Sequence, residues 1–400
     1  MEVLIKNVNI VDFAQNFYGD VYIYAGKIFE IGEDLSKDCE VIDGKGKMLL
    51  PSFVDLHAHF REPGFTDKED IVSGSKAAVR GGYTAVNLMA NTNPVCSDMD
   101  TVNYVIEKVK QAGLVDAHQV VSITKNLDGT DISHLDKISP AIVKLISDDG
   151  KGVADNKVMM EAMVKARDKG IRIISHAETP EMSQIDMRMA ENMMTWRDIA
   201  LSKFTGCHLH MAHVSTKEAM RDVIEAKKEG VNVTCEVTPH HLALTDETEY
   251  RVNPPLRNEE DVNFLIKAIK DGFVDAIATD HAPHTEEDKK KGAPGISGIE
   301  TSFPVCYTKL VKEEEITLNK LSEIMSKRPA EIMGLNKGQI TIGYDADFVL
   351  VNLDREYTIN SNEFQSKGKN TPLNGKKVYG EILMTIKGGR IVYKNEEECR

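Results

Sequence analysis

Eight short apolar runs punctuate the middle of the chain, at residues 53–60, 84–90, 116–123, 141–147, 171–178, 208–215, 231–238 and 275–283. Polar, helix-like stretches separate them. In two of these, 156–169 and 217–229, apolar residues recur at helical spacing and a glycine follows, Gly170 and Gly230. Eight alternations of this kind predict a (β/α)8 barrel. An open doubly wound sheet is the alternative, but it leaves the recurring histidines described below without a common mouth. The ends of the chain follow another period. Residues 3–11, 20–25 and 27–31, and again 347–352, 381–387 and 390–393, alternate apolar with polar between glycines, the pattern of antiparallel strands. The expected organisation is a barrel over 51–339 and a small composite, β-sandwich-like domain built from 1–50 plus 340–400. The densest charge run, 286–291, is expected in a loop after the eighth strand.

Composition narrows the classes of function. Lys and Arg number 49 against 63 Asp and Glu, a formal charge of −14, which argues against a nucleic-acid partner. It leaves room for a small anionic substrate, since a few local cations outweigh a distant acidic surface. No basic segment leads into an apolar run at the start, and no run of about 18 apolar residues suggests a membrane span. The six cysteines (Cys39, Cys96, Cys207, Cys235, Cys306 and Cys399) form no CxxC pair. Free thiols in a reducing cytoplasm are the plain expectation.

The chemistry lies at the ends of the runs. The first ends Asp55-Leu56-His57-Ala58-His59, and side chains two apart on a strand point the same way. A lone histidine there is an ordinary packing or turn residue; a pair at the C-terminal end of a barrel strand reads as two ligands of one ion. The fifth run ends in His176, the sixth carries His213 and the eighth carries Asp280. Imidazoles and carboxylates together suit zinc and similar divalent ions. Four histidines and an aspartate exceed one tetrahedral site, so two ions are expected.

Longer strings carry a resemblance. DLHAHFREPG (55–64), MANTNP (89–94), SDDGKG (147–152), SHAE (175–178), HVSTKE (213–218), VTPHHLALT (237–245), NPPLR (253–257), ATDHAPH (278–284) and GIET (298–301) together resemble the dihydroorotases, of the shorter bacterial type called class I, within the amidohydrolase superfamily. The resemblance covers most of the chain. It implies reversible cyclisation of N-carbamoyl-L-aspartate to L-dihydroorotate in de novo pyrimidine (UMP) biosynthesis, with a metal-bound hydroxide as nucleophile in the hydrolytic direction and two zinc ions per chain. By the same resemblance His57, His59 and Asp280 hold one metal, and His176 and His213 the other. Asp280 is also the proton shuttle. For the bridging ligand two candidates stand: Asp149 of the SDDG stretch, and a carbamylated Lys144, the device of related amidohydrolases. The resemblance favours Asp149. Asp148 reads as a turn residue.

The substrate's spectator carboxylate calls for a planar cation. Arg61, two residues beyond the histidine pair, matches the family's substrate arginine; Asn91, Asn253 and His284 match its other polar contacts, and His59 joins them. Asn beside Pro or Thr is also an ordinary turn residue. Pro294 and Gly295 would offer backbone contacts, although the sequence Ala293-Pro294-Gly295-Ile296 lacks the aromatic usual there, and the stretch between His176 and His213 is shorter than in relatives. Rival readings are another cyclic amidase, such as allantoinase or dihydropyrimidinase, and a catalytically dead structural partner. Intact ligand positions weigh against the latter. The resemblance also raises a homo-oligomer and aspartate carbamoyltransferase as partners.

Overall fold

The structure, a computed structural model, describes residues 2–395. Five strands open it: β1 (Glu2–Val11), β2 (Asn16–Tyr24), β3 (Lys27–Gly32), β4 (Glu40–Asp43) and β5 (Met48–Pro51). Eight barrel strands follow: β6 (Phe53–Ala58), β7 (Tyr83–Leu88), β8 (Asp116–Gln119), β9 (Leu145–Ile146), β10 (Arg172–Ser175), β11 (Leu209–Met211), β12 (Val233–Val237) and β13 (Ala276–Ile277). Then β14 (Phe348–Thr358), β15 (Lys377–Lys387) and β16 (Arg390–Lys394) return to the opening strands.

The barrel strands pair in parallel as β6-β7-β8 and as β9-β10-β11-β12-β13. Parallel bridges from Val121 to Ile146 and from Ala58 to His281 join the two arcs into a ring. Every residue of β6 and β7 is buried, as expected for parallel strands covered on both faces. Each of the eight apolar runs meets one barrel strand, β7 starting one residue ahead of its run, yet the strands are shorter than the runs. The run at 275–283 pairs regularly only over Ala276–Ile277. What leaves the ladder is the C-terminal end of each run. His213 (φ 32°) and Asp280 (φ 45°) stand in the left-handed region, which non-glycine residues seldom occupy. Those turns end regular pairing and set the side chains at the barrel mouth.

The helical stretches form as their caps dictate. Asp155 caps the Asn156–Lys169 helix through Lys157 N and Val158 N, and left-handed Gly170 closes it. Thr216 caps the Lys217–Lys228 helix. Each such cap contributes about 1 kcal/mol. The charge run after the eighth strand is a short helix, Glu286–Lys290, rather than a loop. A reciprocal capping box between Thr285 and Asp288 and ion pairs at four-residue spacing, Glu286 with Lys290 and Glu287 with Lys291, stabilise it.

The terminal strands form one continuous sheet in the order β16-β15-β14-β5-β1-β2-β3, with β4 also on β1. Most pairs are antiparallel, but β1 pairs in parallel with both β4 and β5, two short strands that the alternation did not reveal. Val3, Ile5, Val21, Ile23, Phe348 and Ile386 fill a core on this sheet, while the larger barrel core extends into the sheet through Val11, Leu50, Val349, Val351 and Ile382. Cys96, Cys207, Cys235 and Cys306 are buried free thiols, and burial raises each thiol above its ordinary range. Cys399 lies outside the described residues.

Candidate metal centre

At the C-terminal mouth of the barrel, two groups of donor atoms converge: His57 with Asp149 and His213, and His57 with His59 and Asp280, the atoms within each group lying within 4.8 Å of one another. Asp149 is the hub. Its carboxylate stands 3.2 Å from His57 Nε2, 3.5 Å from His59 Nε2, 3.4 Å from His176 Nδ1 and 3.7 Å from His213 Nε2. Asp280 Oδ1 lies 3.2 Å from His59 Nε2 and 3.6 Å from His57 Nε2. His176 Nδ1 is also 2.9 Å from His213 Nε2. All six residues are buried.

The orientation of His57 is set from behind. Its Nδ1 lies 2.8 Å from Glu236 Oε1, and the other oxygen of Glu236 is 3.0 Å from His210 Nε2. An Nδ1–H donated to Glu236 leaves the Nε2 lone pair aimed into the cluster, where it is buried with no hydrogen-bond partner. A buried imidazole nitrogen among carboxylates, turned by a carboxylate behind it, is what a metal ligand requires. His176 is held likewise: Nε2 meets Glu178 Oε2 at 2.9 Å, and Glu178 accepts from Asn253 Nδ2 at 2.8 Å. Asp55, fully buried beneath the pair, accepts from Thr279 N (2.9 Å) and His57 N (3.2 Å). It thereby ties the first strand to the eighth.

The local field favours cations. Burial opposes ionisation of Asp149, but the surrounding histidines outweigh it and hold the carboxyl well below its usual range. Burial likewise opposes charge on His57 and His176; Asp149, with Glu236 or Glu178, overrides it and raises both rings, His176 to about 9. A site that would draw protons onto its imidazoles draws divalent ions by the same field.

Above the cluster lies a cavity of about 210 Å³ lined by His59, Arg61, Asn91, Asp149, Gly150, His176, His213, Asn253, Asp280, Ala282, His284, Pro294 and Gly295. Its size suits one small molecule. Arg61 Nη2 is 3.2 Å from His284 Nε2, and Arg61 Nε donates to the Pro283 carbonyl at 3.3 Å. Burial and the Arg61 charge lower the His284 ring to about 4, so His284 stands neutral and Arg61 supplies the cation. Asn91 bridges His59 Nδ1 (2.9 Å) and Asp149 Oδ2 (3.4 Å). Gly295, at φ 136°, sits where a Cβ would lie 2.7 Å from the Ala282 carbonyl oxygen, so this wall admits no side chain.

The amidohydrolase family model matches residues 48–392. The chain belongs to this family. A protein named dihydroorotase from Clostridium botulinum (strain Eklund 17B / Type B) is 56% identical over 397 residues, covering 98% of this chain and 100% of the relative. Another of that name, from Caldanaerobacter subterraneus subsp. tengcongensis, is 41% identical over 426 aligned positions, covering 100% and 99% of the two chains. The solved L-hydantoinase (dihydropyrimidinase) of Arthrobacter aurescens superposes with a TM-score of 0.89 at 26% identity, covering 98% of this chain and 96% of that one. The family is typically metal-dependent, and this amidohydrolase carries histidine and carboxylate groups able to hold metal.

One expected candidate stands apart. Lys144 is not inside a barrel strand: β9 begins at Leu145, and Lys144 Nζ donates to the Pro140 carbonyl at 2.7 Å, at the N-terminal end of the strand. The snorkelling lysine stem reaches solvent at the barrel floor, and Asp149 alone of the two bridging candidates meets the histidines. Asp148 is more than a turn residue. It is buried, accepts from Thr124 N at 3.0 Å, and burial raises its carboxyl to about 6. Glu236 and Glu178 had no assigned role in the sequence. Glu236 offered a signal, a lone carboxylate in the apolar run VNVTCEVT; Glu178, after a strand end, offered none.

Proposed function

We propose that this amidohydrolase is a dihydroorotase whose centre holds two zinc ions between its histidine–carboxylate groups. The observation that carries the reading is Asp149, placed against His57, His59, His176 and His213 at 3.2–3.7 Å: a single carboxylate within reach of four imidazoles is positioned to bridge two ions. The dihydroorotase names of its relatives at 56% and 41% identity support the substrate. His57, His59 and Asp280 would hold one ion and His176 and His213 the other, imidazole and carboxylate donors being suited to zinc. Such ions supply electrophilic activation of an amide carbonyl and bring the pKa of water near neutrality.

The residues of the chain divide the remaining work. Asp280 accepts the proton of the attacking water and returns it to the ring nitrogen as it leaves. In the biosynthetic direction the same carboxylate takes the proton from the carbamoyl nitrogen. Arg61 holds the spectator carboxylate with its planar fork, and neutral His284 adds a hydrogen bond. Asn91, Asn253 and His59 flank the substrate, while Pro294 and Gly295 close the cavity with backbone. Glu236 and Glu178 keep the ligand imidazoles turned inward. The catalytic unit is the barrel, 51–339, with the terminal segments 1–50 and 340–400 forming the second unit.

The rival cyclic-amidase reading draws on the hydantoinase-like fold neighbours, but its bridging lysine is not at this site. The small-molecule substrate, and relatives named dihydroorotase, fit a cytoplasmic enzyme of pyrimidine synthesis that self-associates or meets aspartate carbamoyltransferase. Among the described residues, no helix is long and apolar enough to cross a membrane. A metal-replete assay comparing dihydroorotate, allantoin and dihydrouracil tests the activity: turnover should favour dihydroorotate, and preference for either other substrate would reject it.

A further inference from the structure

The loop between β14 and β15 belongs to the terminal sheet by sequence, yet it reaches the mouth of the barrel. Buried carboxylates tie it down. Glu300, the glutamate of the GIET string, accepts from Gln365 N at 2.9 Å and from Ser366 N at 3.0 Å. Glu69 accepts from Lys367 N at 3.2 Å and from the Ser366 hydroxyl. Gly368 then passes so close to the turn after the eighth strand that a Cβ would lie 2.6 Å from Pro283 Cβ and 3.0 Å from His284 N. Two residues on, Asn370 reaches two walls of the substrate cavity with one side chain. Its Oδ1 accepts from His284 N and from Ser297 Oγ, each at 3.0 Å, and its Nδ2 donates to the Gly295 carbonyl at 3.1 Å. Its own carbonyl accepts from Ser297 N at 2.8 Å. His284 and Gly295 both line the cavity.

The Gly295 carbonyl has a second partner. Lys289 Nζ donates to it at 3.0 Å, and also to the carbonyls of Ala293 (2.8 Å) and Arg251 (3.0 Å). The Arg251 carbonyl in turn accepts from Gly295 N at 3.1 Å. An ammonium has three donors, and all three here go to main chain around one turn. The Tyr250 ring lies 4.3 Å from the same ammonium. Burial and the nearby Arg251 charge lower the Lys289 ammonium to about 8, so the fold keeps a cation here at a cost that a solvent-facing lysine avoids. The turn it holds, Ala293-Pro294-Gly295, has no side chain larger than proline. It has few atoms with which to lock itself by packing, and main-chain hydrogen bonds do that work instead.

We propose that Asn370 and Lys289 are positioning residues for the reaction in the barrel. Together they occupy both lone pairs of the Gly295 carbonyl, and Asn370 holds the His284 backbone at the same time. One amide therefore sets the separation of the two walls, and with it the place of the His284 ring, 3.2 Å from Arg61. Neither residue touches the reacting atoms. They hold binding groups to the fraction of an ångström that productive binding demands. A role in stability alone would need no such convergence, because the loop is already anchored through Glu69 and Glu300, which line no part of this cavity. The walls are the same whichever cyclic amide enters.

Steady-state kinetics on the intact, metal-replete chain test the assignment, using whichever of dihydroorotate, dihydrouracil and allantoin the wild type turns over best. Asn370→Ala frees both walls and should raise KM about tenfold while kcat changes by less than about threefold. Lys289→Met keeps the apolar stem and should act in the same direction. Metal content should match wild type in both, and peptides containing His284 should exchange their amide hydrogens faster in Asn370→Ala. Lys290→Met removes the exposed neighbouring cation, 3.9 Å from Glu286, and should leave kcat and KM within about twofold. Wild-type KM in either variant that folds by circular dichroism overturns the assignment, as does unchanged exchange at His284. A KM rise in Lys290→Met equal to that in Lys289→Met would reduce the effect to charge and overturn it too. So would loss of metal or of kcat in step with KM, or failure of both variants to fold, since the contacts would then only support the fold. A wild type that prefers dihydrouracil or allantoin rejects the dihydroorotase reading instead, and the ratio of variant to wild-type KM on that substrate still decides the role of Asn370 and Lys289.

Discussion

The two ends of the barrel both gather buried charge, and they do opposite things with it. At the floor, Lys337 Nζ lies 2.6 Å from Asp116 and also pairs with Asp347, Lys387 reaches Asp116 at 2.8 Å, and Asp347 accepts from Gly388 N at 2.7 Å. Each charge there meets an opposite one supplied by the chain, and the cluster staples β8 to the terminal sheet. At the mouth, Asp149 and Asp280 face imidazoles whose only positive charge would come from protons, and His57 Nε2, 3.2 Å from Asp149, makes no hydrogen bond. The floor is electrostatically complete. The mouth is complete only with a cation from outside. Residual demand, not burial, separates a functional cluster from a structural one.

The largest expected effect falls at the mouth. Asp280→Asn keeps the shape and one ligand oxygen but removes the proton acceptor, so kcat should fall by at least about 100-fold while the thermal midpoint stays close to wild type. Steady-state kinetics on metal-replete protein check this, and near-normal turnover would remove Asp280 from the proton path.

At the floor the pattern should reverse. Lys337→Met leaves Asp347 buried without its cation, while Asp116 keeps only Lys387. The loss should be about 2–3 kcal/mol, the lower end for breaking a buried pair because Asp116 is half exposed. Denaturant unfolding should show that loss while kcat per folded molecule is unchanged. A fall in kcat without destabilisation would mean that the two clusters are coupled through the barrel.

The mouth half of this division was legible in the sequence, and the floor half was not. The eight runs appear in order as β6–β13, and the residues at their C-terminal ends, His57, His59, His176, His213 and Asp280, meet at one mouth. Their exact ends were not legible, because His213 and Asp280 leave the ladder through left-handed backbone that apolar periodicity does not register. β4 and β5, four residues each, are too short to show a period and pair in parallel by tertiary contact. Glu236 was written in the sequence as a carboxylate in an apolar strand, but its meaning depended on His57 from a strand 179 residues away. Partners so distant in sequence are set by the closed ring, not by local pattern.

A smaller effect is expected where the mouth meets the substrate. Arg61→Lys retains charge but loses the planar fork beside His284. Losing one charge-assisted bond, worth about 1.5 kcal/mol, should raise KM for dihydroorotate about tenfold with a lesser change in kcat. An unchanged KM would place the spectator carboxylate elsewhere.

The smallest expected effect, that of Lys144→Ala set beside Asp149→Ala, tests the comparison most directly. Lys144 and Asp149 lie five residues apart in sequence, yet the structure sends them to opposite ends of β9: Lys144 to the Pro140 carbonyl at the floor, Asp149 to four histidines at the mouth. A carbamylated lysine would carry the same charge as an aspartate, so charge alone cannot distinguish them and position must. Asp149→Ala should lose at least one ion by elemental analysis, together with activity. Lys144→Ala removes a side chain that holds a single exposed hydrogen bond, so its stability change should stay within about 0.5 kcal/mol and its metal content should equal that of the wild type. Acetate or propionate, which stand in for a missing carbamate, should then restore nothing to the Lys144→Ala protein because nothing was lost. Metal shed by Lys144→Ala and regained with short-chain acids would show that the floor residue swings to the mouth, and the separation of the two ends would fail with it.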